Sequence, residues 1–75
     1  MAEKRKLKVG ELAERTHKTV RALRLYEERG LLSPMERSQG GFRLYAESSI
    51  ERVSLIDRLQ SVGMSLNEIA ELLAV

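Results

Sequence analysis

Hydrophobic positions along this chain fall into short helical stripes separated by turn signals. Val9, Leu12 and Ala13 share one helical face, with Glu11, Glu14 and Arg15 outside it, and predict a short helix over about 9–15. Thr16-His17-Lys18 follow as a tight turn. His17 reads as a turn residue that tolerates an unusual φ rather than as a proton shuttle. Thr19 stands where an N-cap belongs, because its hydroxyl can accept from the free N–H groups of the next turn. A second helix is predicted over about 20–29. Val20, Leu23 and Glu27 mark one of its stripes, and Arg21, Arg24 and Glu28 mark another. Gly30 ends it, since glycine tolerates the left-handed conformation that closes many helices.

Leu31-Leu32-Ser33-Pro34 reads as an extended exit, because Pro34 biases Ser33 away from helix. Ser38-Gln39-Gly40-Gly41 is a turn signal between two candidate strands at about 35–38 and 42–45. Phe42 and Leu44 lie on one face of the second strand, Arg43 and Tyr45 on the other, and the pattern leaves open which face packs inward. A longer helix is predicted from Glu47 to about Val62, with Ile50, Val53, Ile56 and Leu59 in its stripe and Leu55 and Val62 widening it. Gly63 stops it. Ser65-Leu66-Asn67-Glu68 has the form of a capping box, so a further helix starts at Ser65 with Leu66, Ile69, Ala70 and Leu73 on its apolar face. The expected architecture is mainly α: four helices and a two-stranded hairpin wing, in a single domain over 1–75.

Two short helices joined by a tight turn form a helix-turn-helix pattern. Charge then separates this pattern from an ordinary helical hairpin. The 75 residues carry a net +2, but residues 1–43 hold eleven of the thirteen Lys/Arg and a net +5, leaving −3 on residues 44–75. A polyanion would bind the first part. Residues 1–6, with Lys4-Arg5-Lys6, read as a basic, flexible arm. No apolar run suits a signal peptide or a membrane span, so the expected location is the cytoplasm, at the nucleoid.

Catalysis finds little support. There is no Cys and a single His, His17, so no thiolate or multi-histidine metal site is available. No glycine-rich phosphate loop is present. Glu27 and Glu28 are adjacent on a helix and point about 100° apart, which does not make a carboxylate pair. No enzyme activity and no cofactor are expected. The basic residues offer more. The planar fork of arginine can bond a guanine edge bidentately or clamp a phosphate. Arg21 and Arg24 are neighbours on one helix surface, and Tyr26 has a hydroxyl to offer a phosphate. Arg37 and Arg43 flank the hairpin tip, suited to phosphate or to a minor groove. The plain alternatives are solvated charge, with Arg24 paired to Glu28, and edge-strand charges that block sheet-to-sheet association. Arg52 and Arg58 read as surface partners of nearby Glu and Asp.

The order Val9-Gly10-Glu11-Leu12-Ala13, then Thr19-Val20-Arg21-Ala22-Leu23-Arg24-Leu25-Tyr26-Glu27, then Gly30-Leu31-Leu32 resembles the N-terminal domain of the MerR family of bacterial transcription regulators. The resemblance continues through Pro34, Arg37, Gly41-Phe42-Arg43-Leu44-Tyr45 and Gly63-Met64-Ser65-Leu66-Asn67-Glu68-Ile69. It implies a winged helix-turn-helix whose second helix enters the major groove while the wing grips the backbone beside it. By position, Thr19, Arg21, Arg24 and Tyr26 fall on the recognition helix and Arg37 and Arg43 on the wing. Lys18, where the family usually has an apolar residue, adds positive charge at the helix start. Leu25 stands where a first Tyr is frequent, His17 replaces a usual turn Gly, and Ala46 replaces a usual N-cap hydroxyl.

The resemblance also implies a homodimer that distorts the promoter spacer so that RNA polymerase engages both promoter elements. The apolar end Leu72-Leu73-Ala74-Val75 carries no stop signal. It reads as a chain interrupted before a continuation, or one that needs a partner. The resemblance implies that the continuation is a dimerisation helix, and the chain as it stands is expected to be mainly monomeric. Two other functions share the fold: a protein-interaction module, and a small excisionase-like architectural DNA binder.

Overall fold

The computed structural model describes residues 6–74. Along the chain they form β1 (Lys6–Lys8), α1 (Val9–Thr16), α2 (Val20–Glu28), β2 (Glu36–Arg37), β3 (Arg43–Ala46), α3 (Ser48–Ser61) and α4 (Leu66–Leu73). The four expected helices and the hairpin are all present, with ends within one or two residues of those that the sequence predicts.

Local chemistry sets the helix ends. Thr19 caps α2, its hydroxyl accepting from the Ala22 N–H at 3.0 Å. Ser65 and Glu68 close a reciprocal capping box on α4. α3 starts after Glu47 with no side-chain cap. At the far ends, α2 closes on Gly30 (φ 77) and α3 on Gly63 (φ 102). In both, the next two amides turn back onto the last helical turn: Gly30 N to Glu27 O and Leu31 N to Tyr26 O, then Gly63 N to Gln60 O and Met64 N to Leu59 O. α1 ends the same way with His17 at φ 59, and Lys18 N donates to Ala13 O. The left-handed corner expected of His17 is therefore present.

The sequence pattern predicts no strand at the start of the chain, and the structure has one. β1 pairs antiparallel with β3, Leu7 opposite Tyr45, and makes a three-stranded sheet in the order β1-β3-β2. Lys6, expected in a flexible arm, is instead in this strand and bonds Glu36 of β2 at 2.9 Å. The rest of that arm, residues 1–5, lies outside the described residues. The alternation of the strand sends Leu7 inward between two outward lysines.

One core joins sheet and helices: Leu7, Leu12, Leu23, Tyr26, Leu31, Tyr45, Val53, Ile56 and Ile69 are among its buried members. The structure also decides the face that the sequence leaves open on β3. Tyr45 is fully buried, whereas Phe42 at the tip is 65% exposed. Val62, expected to widen the α3 stripe, is 75% exposed, because α3 ends at Ser61 and the chain turns away at Gly63. Arg52 does not pair with an acid among the described residues. Its Nε donates to Leu31 O at 2.8 Å, tying α3 to the exit from α2.

Candidate nucleic-acid interface

α2 buries Leu23 and Tyr26 and half-buries Val20, so its opposite face is free. That face carries Thr19, Arg21, Arg24, Leu25 and Glu28, all exposed. Arg24 does not pair with Glu28: the ion pairs formed among the described residues are Lys6–Glu36, Lys18–Asp57 and Arg43–Glu27. The two arginines thus project three residues apart on one helix surface.

Tyr26 leaves this face. It is 4% exposed, and its hydroxyl lies 3.4 Å from Gln60 Oε1 on α3. The expectation that this hydroxyl serves a phosphate is therefore corrected, and the reason is angular. Tyr26 sits three residues after Leu23 and continues the buried stripe, and the aromatic ring brings far more apolar surface than the single hydroxyl forfeits.

Lys18 is at the start of α2, but its ammonium is held by the Asp57 carboxylate of α3. That hydrogen bond raises the Lys18 pKa above the usual lysine value, against a smaller opposing effect of burial. At the other end of α2, Arg29 Nη1 donates to Asn67 Oδ1 on α4 at 2.8 Å.

The wing stands beside α2. Its turn uses Gly41 at φ 85, and Ser38 closes it by accepting at its carbonyl from Gly41 and at its hydroxyl from Phe42. A Cβ at Gly40 would meet the Phe42 ring at 3.1 Å, so a side chain there requires that exposed ring to shift. Arg37 faces Arg43 across the two strands, an unfavourable like-charge pairing. Each arginine is drawn elsewhere. Arg37 Nη1 donates to Gly41 O at 3.0 Å, and Arg43 Nε donates to Glu27 Oε2 at 2.7 Å. Lys8, Arg24, Phe42 and Arg43 line a cleft of about 470 Å³ between α1, α2 and the wing.

Glu27 is the residue that sequence reasoning misses. Its second oxygen accepts from the Tyr45 hydroxyl at 2.7 Å, so one carboxylate of α2 holds two side chains of β3. A signal is present in the sequence: a carboxylate on the apolar stripe with Val20 and Leu23 requires donors. Burial, and then the Glu27 hydrogen bond, push the Tyr45 pKa up to about 12. The folded state thus disfavours tyrosinate relative to the unfolded chain. The resulting stability is complete below about pH 10 and is lost as pH rises through 10 toward 12. Tyrosinate absorbance followed through that range should show one tyrosine ionising near pH 12 in the folded protein, and Tyr45→Phe should remove that step. Titration of this tyrosine near its ordinary value of about 10 would contradict its burial and, with it, the Glu27 contact.

A capped, arginine-bearing helix after a tight turn, with a hairpin wing locked beside it, defines a winged helix-turn-helix domain of the DNA-binding class. Residues 7–75 match the family described as MerR HTH family regulatory protein. The chain belongs to that family. It is 48% identical over 66 residues to the nodulation protein NolA of Bradyrhizobium elkanii, covering 88% of this chain and 30% of that protein. A transcriptional regulator of the MerR family from Bacillus cereus superposes with a TM-score of 0.84 at 32% identity, over 95% of this chain and 53% of that one. The crystal structure of HiNmlR, a MerR family regulator lacking the sensor domain and bound to promoter DNA, superposes with a TM-score of 0.76 at 28% identity, over 89% of this chain and 56% of that one. The chain therefore spans about half, or less, of the length of these relatives.

Proposed function

We propose that this chain reads promoter DNA as the DNA-binding domain of a transcription regulator, a binding function without catalysis. α2 enters the major groove, with Arg21 and Arg24 reaching base edges and phosphate. Thr19 holds the helix start at the groove. The wing lies along the flanking backbone, with Arg43 and Arg37 beside it. Lys18 contributes less than the arginines, because the Asp57 carboxylate already holds and offsets its charge. The observation that carries this reading is the free face of α2. Its two arginines have no ion-pair partner among the described residues and stand next to an anchored wing.

In the whole protein, two such domains act as a homodimer on a palindrome. They distort the spacer so that RNA polymerase engages both promoter elements. Bending of this kind costs a few kcal/mol or more, which backbone contacts must offset. The basic first half of the chain, at +5, supplies them. Binding to duplex DNA should weaken steeply with salt, the logarithm of the binding constant falling by about 0.9 per neutralised phosphate for each logarithmic unit of salt. An anisotropy titration at several salt concentrations measures this slope. A flat response would remove the reading and favour a protein-interaction module on the same fold.

A further inference from the structure

Glu27 lies in a surface cleft with Arg24 and Arg43, two of the charges proposed to meet DNA, where a carboxylate repels phosphate. On charge alone it should weaken binding. Its geometry points the other way. One oxygen accepts from the hydroxyl of Tyr45, a side chain fixed in the core. The other accepts from Nε of Arg43, whose side chain is 41% exposed at the wing. Glu27 therefore bridges an immobile donor and a solvent-facing one. Because the Arg43 bond uses Nε, the terminal Nη atoms carry no hydrogen bond among the described residues. A guanidinium held by its edge keeps its outer fork directed to solvent, and a free arginine gives up more rotamer freedom on binding than a held one.

We propose that Glu27 is a positioning residue for DNA binding: it fixes the wing against α2 and presents the Nη fork of Arg43 to a backbone phosphate. This rests on the DNA-binding reading above. Glutamine would not test this, because its carbonyl can accept from Arg43 Nε while its NH2 donates to the Tyr45 hydroxyl, which accepts as well as donates; alanine removes both bonds.

The test compares wild-type chain, Glu27→Ala and Arg43→Lys on a mixed-sequence duplex, over a range of salt, with circular dichroism to verify folding. Glu27→Ala makes the domain more positive, so electrostatics alone predicts tighter binding and a salt slope no smaller than wild type. The positioning role predicts binding weaker by about three- to tenfold and a slope smaller by about 0.9, because one phosphate is no longer neutralised. Arg43→Lys keeps the charge but has no fork to divide between Glu27 and phosphate, and should weaken binding to a similar extent. It decides the matter if Glu27→Ala fails to fold. In the free protein, the Arg43 Nε proton should give a slowly exchanging NMR signal that Glu27→Ala abolishes. Unaltered or tighter binding by either folded variant, while wild type binds with a steep salt slope, would overturn the role of Glu27 and leave the DNA reading intact. A wild-type chain with a flat salt response would overturn both.

Discussion

Replacing Leu7 by Ala is expected to destabilise the domain by about 2–5 kcal/mol, the range for removing a fully buried leucine side chain. Leu7 is wholly buried, paired with Tyr45, and packed in the cluster that also holds Leu12 and Ile56. Small domains are held by only about 0.05–0.15 kcal/mol per residue. The loss is therefore a large share of the total. Urea denaturation followed by circular dichroism should show a lower midpoint with little change in slope. Because β1 backs the wing strand, DNA affinity should fall in parallel at temperatures near the new midpoint. A change below about 0.5 kcal/mol, the level of ordinary surface substitutions, would mean that β1 is dispensable to the core.

The second large effect concerns specificity. Arg21 lies in the first turn of α2, the part of a recognition helix that reaches base edges. Arg21→Ala should cost about 1–3 kcal/mol on a matched site, relaxing the preference at one base pair. Arg43→Ala should instead weaken matched and scrambled sites about equally and reduce the salt slope, because a phosphate contact is blind to sequence. The comparison needs a selected operator, obtained by enrichment from a random duplex library. Equal penalties on matched and scrambled sites for both variants would contradict the division between groove and backbone.

Local signals in the sequence suffice for much of this architecture. Thr19, the Ser65–Glu68 box, Gly30 and Gly63 act within a few residues of themselves, so their roles are independent of the rest of the fold. The left-handed turn at His17 belongs to the same group. What escapes depends on residues distant in sequence. β1 is a single leucine between two lysines, too short to register as an alternating strand until its partner, far along the chain, is known. Tyr26 and Glu27 trade places for a related reason. The sequence stripe runs through Glu27, the fourth residue after Leu23, while the core takes Tyr26, the third. Both positions lie near the edge of a helical face, and tertiary packing decides between them. The partners of Lys18 and Arg52 are equally hidden, since Asp57 and the Leu31 carbonyl come into reach only after α3 docks. The exposed pair Arg21 and Arg24 is legible because an outward face needs no partner to define it.

The register of the sheet also has a consequence for synthesis. Lys6–Lys8 leave the ribosome well before Arg43–Ala46, the strand they must pair with. At about 5–20 residues per second the interval is about 2–8 s. Throughout it, the backbone of residues 6–8 lacks the partner that it has in the folded domain. Its two lysines guard it, because flanking charge discourages a waiting edge from pairing with a neighbouring nascent chain. The same lysines then remain on the solvent side when the strand closes. A lysine pair that looks like part of a basic tail thus also sets charge on either side of the strand's single apolar side chain.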